Sequence, residues 1–197
     1  MSDPATIAFY EANAPRYTQK FGRQPNRHLD PFLDLLEPGA KLLELGCGSG
    51  QDSARIIERG FSLVATDGTP AMVAKTKELR GIEARLMRFE ELSAVGQYDA
   101  VWAHACLIHI ARAEFADILA AIHRSLRSGG LHFANFKLGN GEGRDPLGRL
   151  HNFPDEDWLE TSYRGAGLNV VQTERYKGEG ADGVVRNWFA LTVQKAG

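Results

Sequence analysis

This sequence has little cysteine, no long apolar run and no excess of charge of either sign. Its 197 residues include only two cysteines, Cys47 and Cys106, which is too few for the disulfide framework of a secreted domain. No apolar run approaches the roughly 20 residues needed to cross a bilayer, and the N-terminus shows no apolar signal segment. These absences predict a soluble protein of the reducing cytoplasm.

The charge balance weakens the case for nucleic acid or a membrane as a partner without excluding an RNA substrate. The formal net charge is −2, with 24% charged and 43% hydrophobic residues, so the chain has no overall attraction for nucleic acid or an anionic membrane. A chain of this length can bury a sizeable core. We predict a single domain over 1–197 with a small-molecule partner rather than nucleic acid or a membrane, as a monomer or a homodimer.

Apolar runs alternate with helix-like segments up to residue 137. The runs at 41–45, 61–67, 82–87, 98–103 and 130–137 predict strands, and the segments at 50–59, 70–80 and 112–127 predict helices between them. Strands that alternate with helices pair in parallel, with helices on both faces of the sheet. The pattern therefore predicts an α/β fold, a Rossmann-like three-layer sandwich.

The pattern changes beyond that point. Residues 139–149 are rich in glycine and charge, which predicts a loop, and one more helix follows. Two further strands, 168–176 and 184–194, are joined by a glycine-rich turn, which predicts an antiparallel pair at one edge. The sheet is then a seven-stranded mixed sheet whose last strand is antiparallel.

Three glycines at alternate positions, Gly46, Gly48 and Gly50, follow the first predicted strand. In an open parallel sheet, ligands bind beyond the carboxyl ends of the strands, and glycine allows bare backbone to approach them. A dinucleotide fingerprint requires glycine at its sixth position, where this chain has Gln51, and a P-loop requires Gly-Lys followed by Ser or Thr, which this loop lacks. A pyrophosphate cofactor and a nucleoside triphosphate therefore both fit poorly.

Asp67 ends the second predicted strand, about 20 residues after the first glycine, where a carboxylate can accept hydrogen bonds from ribose hydroxyls. The glycine turn and this distant carboxylate together predict an adenosine ligand without a pyrophosphate.

The segments ELGCGSG (44–50) and ATDGTPAMV (65–73) resemble the first two motifs of the class I S-adenosylmethionine-dependent methyltransferases. Residues 98–110 and 126–137 resemble the motifs at the fourth and fifth strands of that family, and 186–195 its closing antiparallel strand. Within the family, the chain is most similar to small single-domain enzymes resembling the tellurite-resistance methyltransferases.

This resemblance implies an organisation as well as a cofactor. FYEANAPRY (9–17) is similar to the N-terminal helix that covers the cofactor in many members. The resemblance implies N-terminal cap helices over 1–37, an S-adenosylmethionine-binding core over 38–137, and a substrate-side loop with the antiparallel edge over 138–197.

The resemblance also implies which residues contact S-adenosylmethionine. They are Tyr17, Glu44, Gly46, Cys47, Gly48, Asp67, Gly68, Phe89, Glu90, Ala103 and His104. The glycine turn would line the methionine portion through its backbone, and Asp67 would hold the ribose. Glu44 would orient the turn or accept a bond from the cofactor's ammonium.

Two further contacts complete this implied site. The backbone of Phe89 and the side chain of Glu90 would meet the adenine, with Glu91 as the competing carboxylate. Ala103 and His104 would face the sulfonium.

Methyl transfer requires alignment and, for a protonated nucleophile, a general base. His104 is the candidate base or substrate contact; the alternative is a packed histidine bonded to backbone. His109 lies five positions further on with no third ligand nearby, so no metal site is predicted.

Three basic residues, Lys137, Arg144 and Arg149, lie at or just after the end of the fifth predicted strand. Guanidinium groups pair well with oxyanions, so these side chains are candidates to gather an anionic substrate. The alternative is a solvated loop in which they pair with Glu142 and Asp145. We predict a catalytic set of His104, Arg144 and Arg149.

The predicted function is methyl transfer from S-adenosylmethionine to a small, anionic acceptor. One alternative is a methyltransferase acting on RNA or protein. Another is a regulatory protein that binds S-adenosylmethionine without turning it over.

Overall fold

The computed structural model describes residues 3–22 and 24–197, so positions 1, 2 and 23 of the predicted N-terminal segment lie outside the described residues. Within the described residues, nine strands form in chain order: β1 Lys41–Leu45, β2 Ser62–Asp67, β3 Arg85–Leu86, β4 Tyr98–Ala103, β5 Leu126–Lys137, β6 Gly141–Arg144, β7 Leu150–Phe153, β8 Leu168–Glu179 and β9 Val185–Lys195. Six α-helices accompany them in the same described part of the chain: α1 Pro4–Phe21, α2 Leu29–Leu33, α3 Gln51–Glu58, α4 Pro70–Arg80, α5 Arg112–Ser125 and α6 Glu156–Gly165.

Seven of the strands form one mixed sheet in the order β3-β2-β1-β4-β5-β9-β8. β1 is parallel to β2 and β4, and β4 is parallel to β5. β9 is antiparallel to both of its neighbours, β5 and β8. The predicted seven-stranded mixed sheet with an antiparallel last strand is therefore confirmed, and the strand order reverses between β1 and β4, where a ligand is expected.

The central strands are buried on both faces, which produces three layers. Successive strand residues point to opposite faces, and Leu42 and Trp102 pack with Phe32 of α2 and Ile56 of α3. Leu43, Leu45 and Val101 pack on the other face with residues of α5 and α6, among them Phe115, Leu119 and Tyr163.

The helix ends follow local sequence signals. α4 starts at the Thr69-Pro70 pair, with proline in the first turn where its missing N–H costs nothing, and it ends at Gly81 with a left-handed φ of 68°. α5 ends at Ser125, two residues before the predicted boundary of 127, because Leu126 already pairs with Tyr98 as the first residue of β5.

The glycine-rich segment 139–149 is not the plain loop that its composition predicts. β6 pairs antiparallel with β7, joining Glu142 to Asn152 and Arg144 to Leu150 in register. Glycine alternates with charged residues in β6, so this strand carries little apolar signal in the sequence. The third predicted strand is also shorter than expected, since only Arg85 and Leu86 pair with β2.

None of the helices within 3–22 and 24–197 is both long enough and apolar enough to cross a membrane.

Candidate functional site

Two cavities meet at the carboxyl ends of β1 and β4, on either side of the glycine turn. Their shared walls are Tyr10, Tyr17, Gly46, Gly48, His104 and Ala105. The first cavity extends over β2 and α4 and has a volume of about 120 Å³. The second extends over β5 and β9 and is larger, at about 440 Å³. A ligand lying across the turn therefore reaches both.

The glycine turn is shaped by positive backbone angles. Gly46 and Gly48 have φ angles of 72° and 59°, a region that costs non-glycine residues steric strain. A Cβ on Gly46 would lie 2.6 Å from the Cβ of Cys106, whereas a Cβ on Gly48 would enter open space. Glycine at 46 is thus required by packing, and glycine at 48 leaves an open cradle beside the backbone.

Cys47 supports the turn through its backbone. Its N–H donates to the carbonyl of Thr66 at 2.8 Å, and its carbonyl accepts from Gly50 at 2.9 Å. Its thiol is buried, which raises the pKa of Cys47 well above its ordinary value. The residue lines the second cavity, but its own polar backbone groups are already committed to the turn.

Asp67 ends β2 and lies in the wall of the first cavity. One carboxylate oxygen accepts from the backbone N–H of Gly48 at 3.0 Å, and the other accepts from Thr69 at 2.9 Å. Burial raises the pKa of Asp67 to about 6, and these backbone hydrogen bonds oppose the shift. Each oxygen keeps lone-pair capacity for a ligand hydroxyl, and Gly68 lines the same wall.

The far end of the first cavity is apolar. Met72 of α4, Met87 and Phe89 line it together with Arg88. Glu90, predicted to meet the adenine, is not among the lining residues. The competing carboxylate Glu91 accepts from the backbone N–H of Arg88 at 2.7 Å and thereby caps the short 3-10 turn. The structure therefore places Phe89 at this end of the cavity, and neither Glu90 nor Glu91 lines it.

Glu44 lies in the interior of the sheet beneath the turn and also lines the second cavity. Its carboxyl accepts from the hydroxyl of Ser53 on α3. Burial, with the neighbouring charge of Asp52, raises the pKa of Glu44 to about 8. The group is therefore protonated at neutral pH, and it connects β1 to the helix that follows the turn.

His104 lies at the junction of the two cavities and has two polar neighbours. Its Nε2 is 2.7 Å from the side-chain nitrogen of Asn26, so Nε2 accepts that hydrogen bond. Its Nδ1 lies 3.6 Å from the carboxylate of Asp52. Asp52 is buried and also accepts from the indole N–H of Trp102 at 2.9 Å. Burial lowers the pKa of His104 while Asp52 opposes that shift, so the ring is neutral at pH 7.

Two residues near His104 differ from expectation. Ala103 is fully buried and lines neither cavity. Ala105 lines both, with a left-handed φ of 51° that is uncommon for a non-glycine residue. Its N–H donates to Asn135 of β5 at 2.6 Å. The sequence contained no signal for this left-handed turn, which aims the backbone after β4 at the cavities.

α1 covers the junction with two tyrosines one above the other. The rings of Tyr10 and Tyr17 lie 5.1 Å apart, edge to face. The Tyr10 hydroxyl is 2.9 Å from His109 Nε2 and accepts from Arg149 at 2.8 Å. His109 Nδ1 is 2.7 Å from the carbonyl of Leu150, so this nitrogen carries the proton and Tyr10 donates to Nε2.

The two arginines predicted to gather substrate have different surroundings. Arg144 is half exposed, pairs with Asp3 at 2.9 Å and lines neither cavity, so its predicted contact with a substrate is not found. Arg149 lines the second cavity but is 2% exposed, and its guanidinium pairs with Asp145 at 2.6 Å. The solvated alternative agrees with the exposure of Arg144, although its partner is Asp3 rather than Glu142 or Asp145. It fails for Arg149, which is buried, although the predicted partner Asp145 is right.

The arrangement around the turn suits S-adenosylmethionine. The first cavity offers a carboxylate for a ribose and an apolar end for an adenine, and the open cradle at Gly48 admits a ligand close to the backbone. The second cavity continues from the turn toward β5, leaving room for a tail and an acceptor. Across the described part of the chain, no group of three or more His, Cys, Asp or Glu side chains is arranged to hold a metal ion.

Comparison with known sequences agrees with this geometry. A methyltransferase domain model matches residues 42–130. An uncharacterised methyltransferase of Synechocystis is 28% identical over 122 residues, covering 58% of this chain and 55% of that protein. A ubiquinone biosynthesis O-methyltransferase of Pseudomonas aeruginosa is 28% identical over 145 residues, covering 66% of this chain and 62% of that protein. The chain thus spans somewhat over half the length of these curated relatives.

Solved structures show the same fold at low identity. The 1,6-didemethyltoxoflavin-N1-methyltransferase of Burkholderia thailandensis, solved with S-adenosylhomocysteine, superposes with a TM-score of 0.77 at 19% identity, covering 98% of this chain and 88% of that one. TehB of Haemophilus influenzae gives 0.73 at 17% identity, covering 91% and 65%. The [4+2]-cyclase SpnF gives 0.77 at 17% identity, covering 96% and 94%.

The cyclase shows that this fold alone does not establish methyl transfer. A methyltransferase domain model matches residues 42–130, and the chain has the Rossmann-like fold of the S-adenosylmethionine-dependent methyltransferases.

Proposed function

We propose that this protein transfers a methyl group from S-adenosylmethionine to a small-molecule acceptor. The single observation that carries the proposal is the pair of cavities joined at the glycine turn, one suited to adenosine and the other open beyond it. When bound, S-adenosylmethionine supplies an activated methyl group, so the protein has only to position the reactants and accept a proton.

The residues proposed to hold the cofactor lie around the first cavity and the turn. Asp67 accepts from the ribose hydroxyls, and Met72, Met87 and Phe89 pack against the adenine. Gly46 and Gly48 bring the backbone close to the methionine portion, and Tyr17 covers it from α1. Glu44, which is protonated, orients the turn through Ser53 rather than binding an ammonium.

His104 is proposed as the proton acceptor for a hydroxyl acceptor. Its ring lines both cavities, so it lies at the boundary between cofactor and acceptor. Asp52 near Nδ1 stabilises a proton on that nitrogen, leaving Nε2 as the basic atom. Asn26 donates to Nε2 in this structure, and we propose that the acceptor's hydroxyl takes its place.

The second cavity favours a small acceptor over RNA. Its two deeply placed cationic side chains, Lys137 and Arg149, are each 2% exposed, whereas a polyanion requires cations on an accessible surface. The name of the P. aeruginosa relative mentions O-methylation, which supports a hydroxyl as the acceptor group. The cytoplasmic location remains a prediction.

Calorimetry with S-adenosylmethionine and S-adenosylhomocysteine tests the cofactor site. Asp67→Asn keeps the size of the side chain and replaces a carboxylate acceptor, whose hydrogen bonds are worth about 1.5–3 kcal/mol, so affinity should fall at least tenfold. Asp99→Asn, on β4 at the opposite end of the sheet, is the control. If wild type and Asp67→Asn bound S-adenosylmethionine equally tightly, the proposal that Asp67 holds the ribose would be wrong.

Turnover is a separate question from binding. A screen of phenols, hydroxy acids and thiols, read as release of S-adenosylhomocysteine, should find an acceptor if the protein is an enzyme. Tight cofactor binding without release for any acceptor class would favour the non-catalytic alternative.

A further inference from the structure

The wall of the second cavity contains a buried lysine that the proposed chemistry does not use. Lys137 is the last residue of β5 and is 2% exposed. Its ammonium lies 5.5 Å from the centre of the Trp188 ring, and both residues line the second cavity. Among the described residues, none is hydrogen-bonded to this ammonium or forms a short ion pair with it.

The charges facing Lys137 leave one positive charge uncompensated. Two carboxylates attract it, Asp182 and Asp145, and two guanidinium groups repel it, Arg186 and Arg149. Each carboxylate is already paired with an arginine: Asp182 with Arg186 and Asp145 with Arg149, both at 2.6 Å. Three cations against two carboxylates therefore leave a net charge of +1 in this group of side chains around Lys137.

The nearby histidine does not change this count. His151 lies against Asp145 at 3.2 Å. Burial, with the charges of Lys137 and Arg149, lowers the pKa of His151 to about 4, so the ring is neutral at pH 7. The ammonium of Lys137 is not among the buried side-chain atoms that lack a partner, and its residue lines the second cavity, which indicates that an anionic ligand in this cavity can pair with it.

The position of Lys137 separates it from the cofactor. Ala134 of β5 pairs with Ala103 at the end of β4, so Lys137 lies three residues beyond the edge at which β4 ends, about 10 Å further along the strand. β5 is also two strands away from β1, which carries the glycine turn. Lys137 lines only the second cavity, on the acceptor side of the turn.

The surface beside the lysine is aromatic. The rings of Trp188 and Tyr176 are stacked 6.1 Å apart with an interplanar angle of 17°. The Tyr176 hydroxyl accepts from Asn135 at 2.8 Å, and all three side chains line the second cavity. A flat apolar group packs favourably against such a wall.

We propose that the methyl acceptor is an aromatic carboxylate that also carries a hydroxyl. Its carboxylate binds the ammonium of Lys137, its ring lies against Trp188 and Tyr176, and its hydroxyl oxygen would take the methyl group, giving its proton to His104 and leaving S-adenosylhomocysteine. This inference rests on the proposed function and specifies its substrate class. Arg149 is a positioning residue in this site, because its guanidinium is held by Asp145 and Tyr10 and its charge adds to the field at Lys137.

The test follows the side-chain resonance of Lys137 in wild-type protein carrying isotope-labelled lysine. Lys137→Met identifies the resonance by its disappearance, and Lys137→Gln serves this purpose if the first variant does not fold. Benzoate should shift the resonance, whereas benzamide, with the same ring and no charge, should leave it in place. The matched control is Lys41→Met, which also removes an ammonium above an aromatic ring, that of Tyr98 at 5.3 Å, at the opposite end of the sheet.

Lys137→Met removes one charge-assisted hydrogen bond to the carboxylate of benzoate. Benzoate should therefore bind this variant at least about tenfold more weakly than it binds wild type or Lys41→Met. S-adenosylhomocysteine should bind all three proteins equally. An equal response to benzamide would overturn the proposal, as would a response to inorganic phosphate with none to benzoate, or no response to either anion.

A loss of S-adenosylhomocysteine affinity in Lys137→Met would assign the lysine to the cofactor's own carboxylate and would also overturn the proposal. Failure of the proposed function has a different signature. In that case wild-type protein does not bind S-adenosylhomocysteine at all, while the response of Lys137 to benzoate persists.

Discussion

Three buried carboxyl groups surround the glycine turn, and their hydrogen-bond donors give them different roles. Asp67 accepts from two backbone N–H groups, and its pKa rises only to about 6. Glu44 accepts from a single hydroxyl beside the charge of Asp52, and its pKa rises to about 8. Asp67 is therefore largely ionised at neutral pH and can hold a ribose, whereas Glu44 is neutral and structural. The same chemical group, a carboxyl, serves two purposes because hydrogen bonds compensate its burial at Asp67 more fully than at Glu44.

At the residue scale, we predict how substitutions of His104 and Asp52 change turnover and its pH dependence. If His104 accepts the acceptor's proton, His104→Gln should lower kcat by about 10²–10⁴ while changing cofactor affinity little. Asp52 raises the pKa of His104, so Asp52→Asn should lower that pKa. Since the base acts when neutral, the acidic limb of the kcat/KM profile should then move to lower pH.

His123→Gln on α5 provides the control, because this histidine lines neither cavity. A structural role for Asp52 alone would reduce activity at every pH without moving the limb. An unmoved limb in Asp52→Asn, together with full activity in His104→Gln, would exclude the dyad.

At the scale of elements, the sequence predicted the strands and turns that position the site better than the side chains that line its cavities. The ends of β1 and β2 could be located because apolar runs stop at glycine or at Asp67, and periodicity decides such elements. Ala105, Met72 and Asn135 could not be assigned, since each reaches the cavities through tertiary packing. The β6–β7 hairpin was missed because glycine and charge dominate its sequence, and its pairing is decided by contacts to distant residues such as Thr6.

The same hairpin provides the element-scale prediction. Arg149→Ala leaves the Asp145 carboxylate buried without its main partner, so the free energy of unfolding should fall by about 3–5 kcal/mol. Arg144→Ala breaks a half-exposed ion pair with Asp3, so the loss should be no more than about 1 kcal/mol. Urea unfolding of the two variants measures both losses in the free energy of unfolding.

The double variant Asp145→Asn with Arg149→Gln removes both charges and should recover part of the stability lost in Arg149→Ala. Similar losses in Arg144→Ala and Arg149→Ala would show that the buried pair does not stabilise the hairpin. Arg144→Ala should also keep full turnover, in contrast to the substrate role that its position in the sequence suggested.

The whole molecule keeps its histidines neutral. The chain has six histidines, and their surroundings lower the pKa of every one: His28, His104, His109, His123, His132 and His151. Burial is the first cause in each case. Most of these rings lie in the central strands or around the covered site. Protonating them at low pH therefore destabilises both the core and the site.

This clustering predicts a loss of stability in mild acid. A histidine whose pKa is lowered on folding stabilises the protein fully above its unfolded pKa of 6.5 and loses that contribution as the pH falls toward its folded value. For His132 and His151 the folded pKa is about 4, so each should cost about 2 kcal/mol between pH 6.5 and 5. Glu44 and Asp67 act in the opposite sense, because their raised pKa values favour the folded state as the pH falls.

Glu44 and Asp67 together offset about 4 kcal/mol between pH 7 and pH 5, as much as His132 and His151 lose, so a net fall in the free energy of unfolding comes from the other four histidines, whose pKa values are also lowered. His132→Gln tests the argument, because it removes one titrating ring from the middle of β5. The pH dependence of its urea unfolding should be flatter than that of wild type by about 2 kcal/mol over this range. His123→Gln, which removes a partly exposed ring, should follow the wild-type curve closely. A His132→Gln curve parallel to wild type would mean that His132 has the same pKa in the folded and the unfolded chain, and the acid sensitivity would then have to come from other groups.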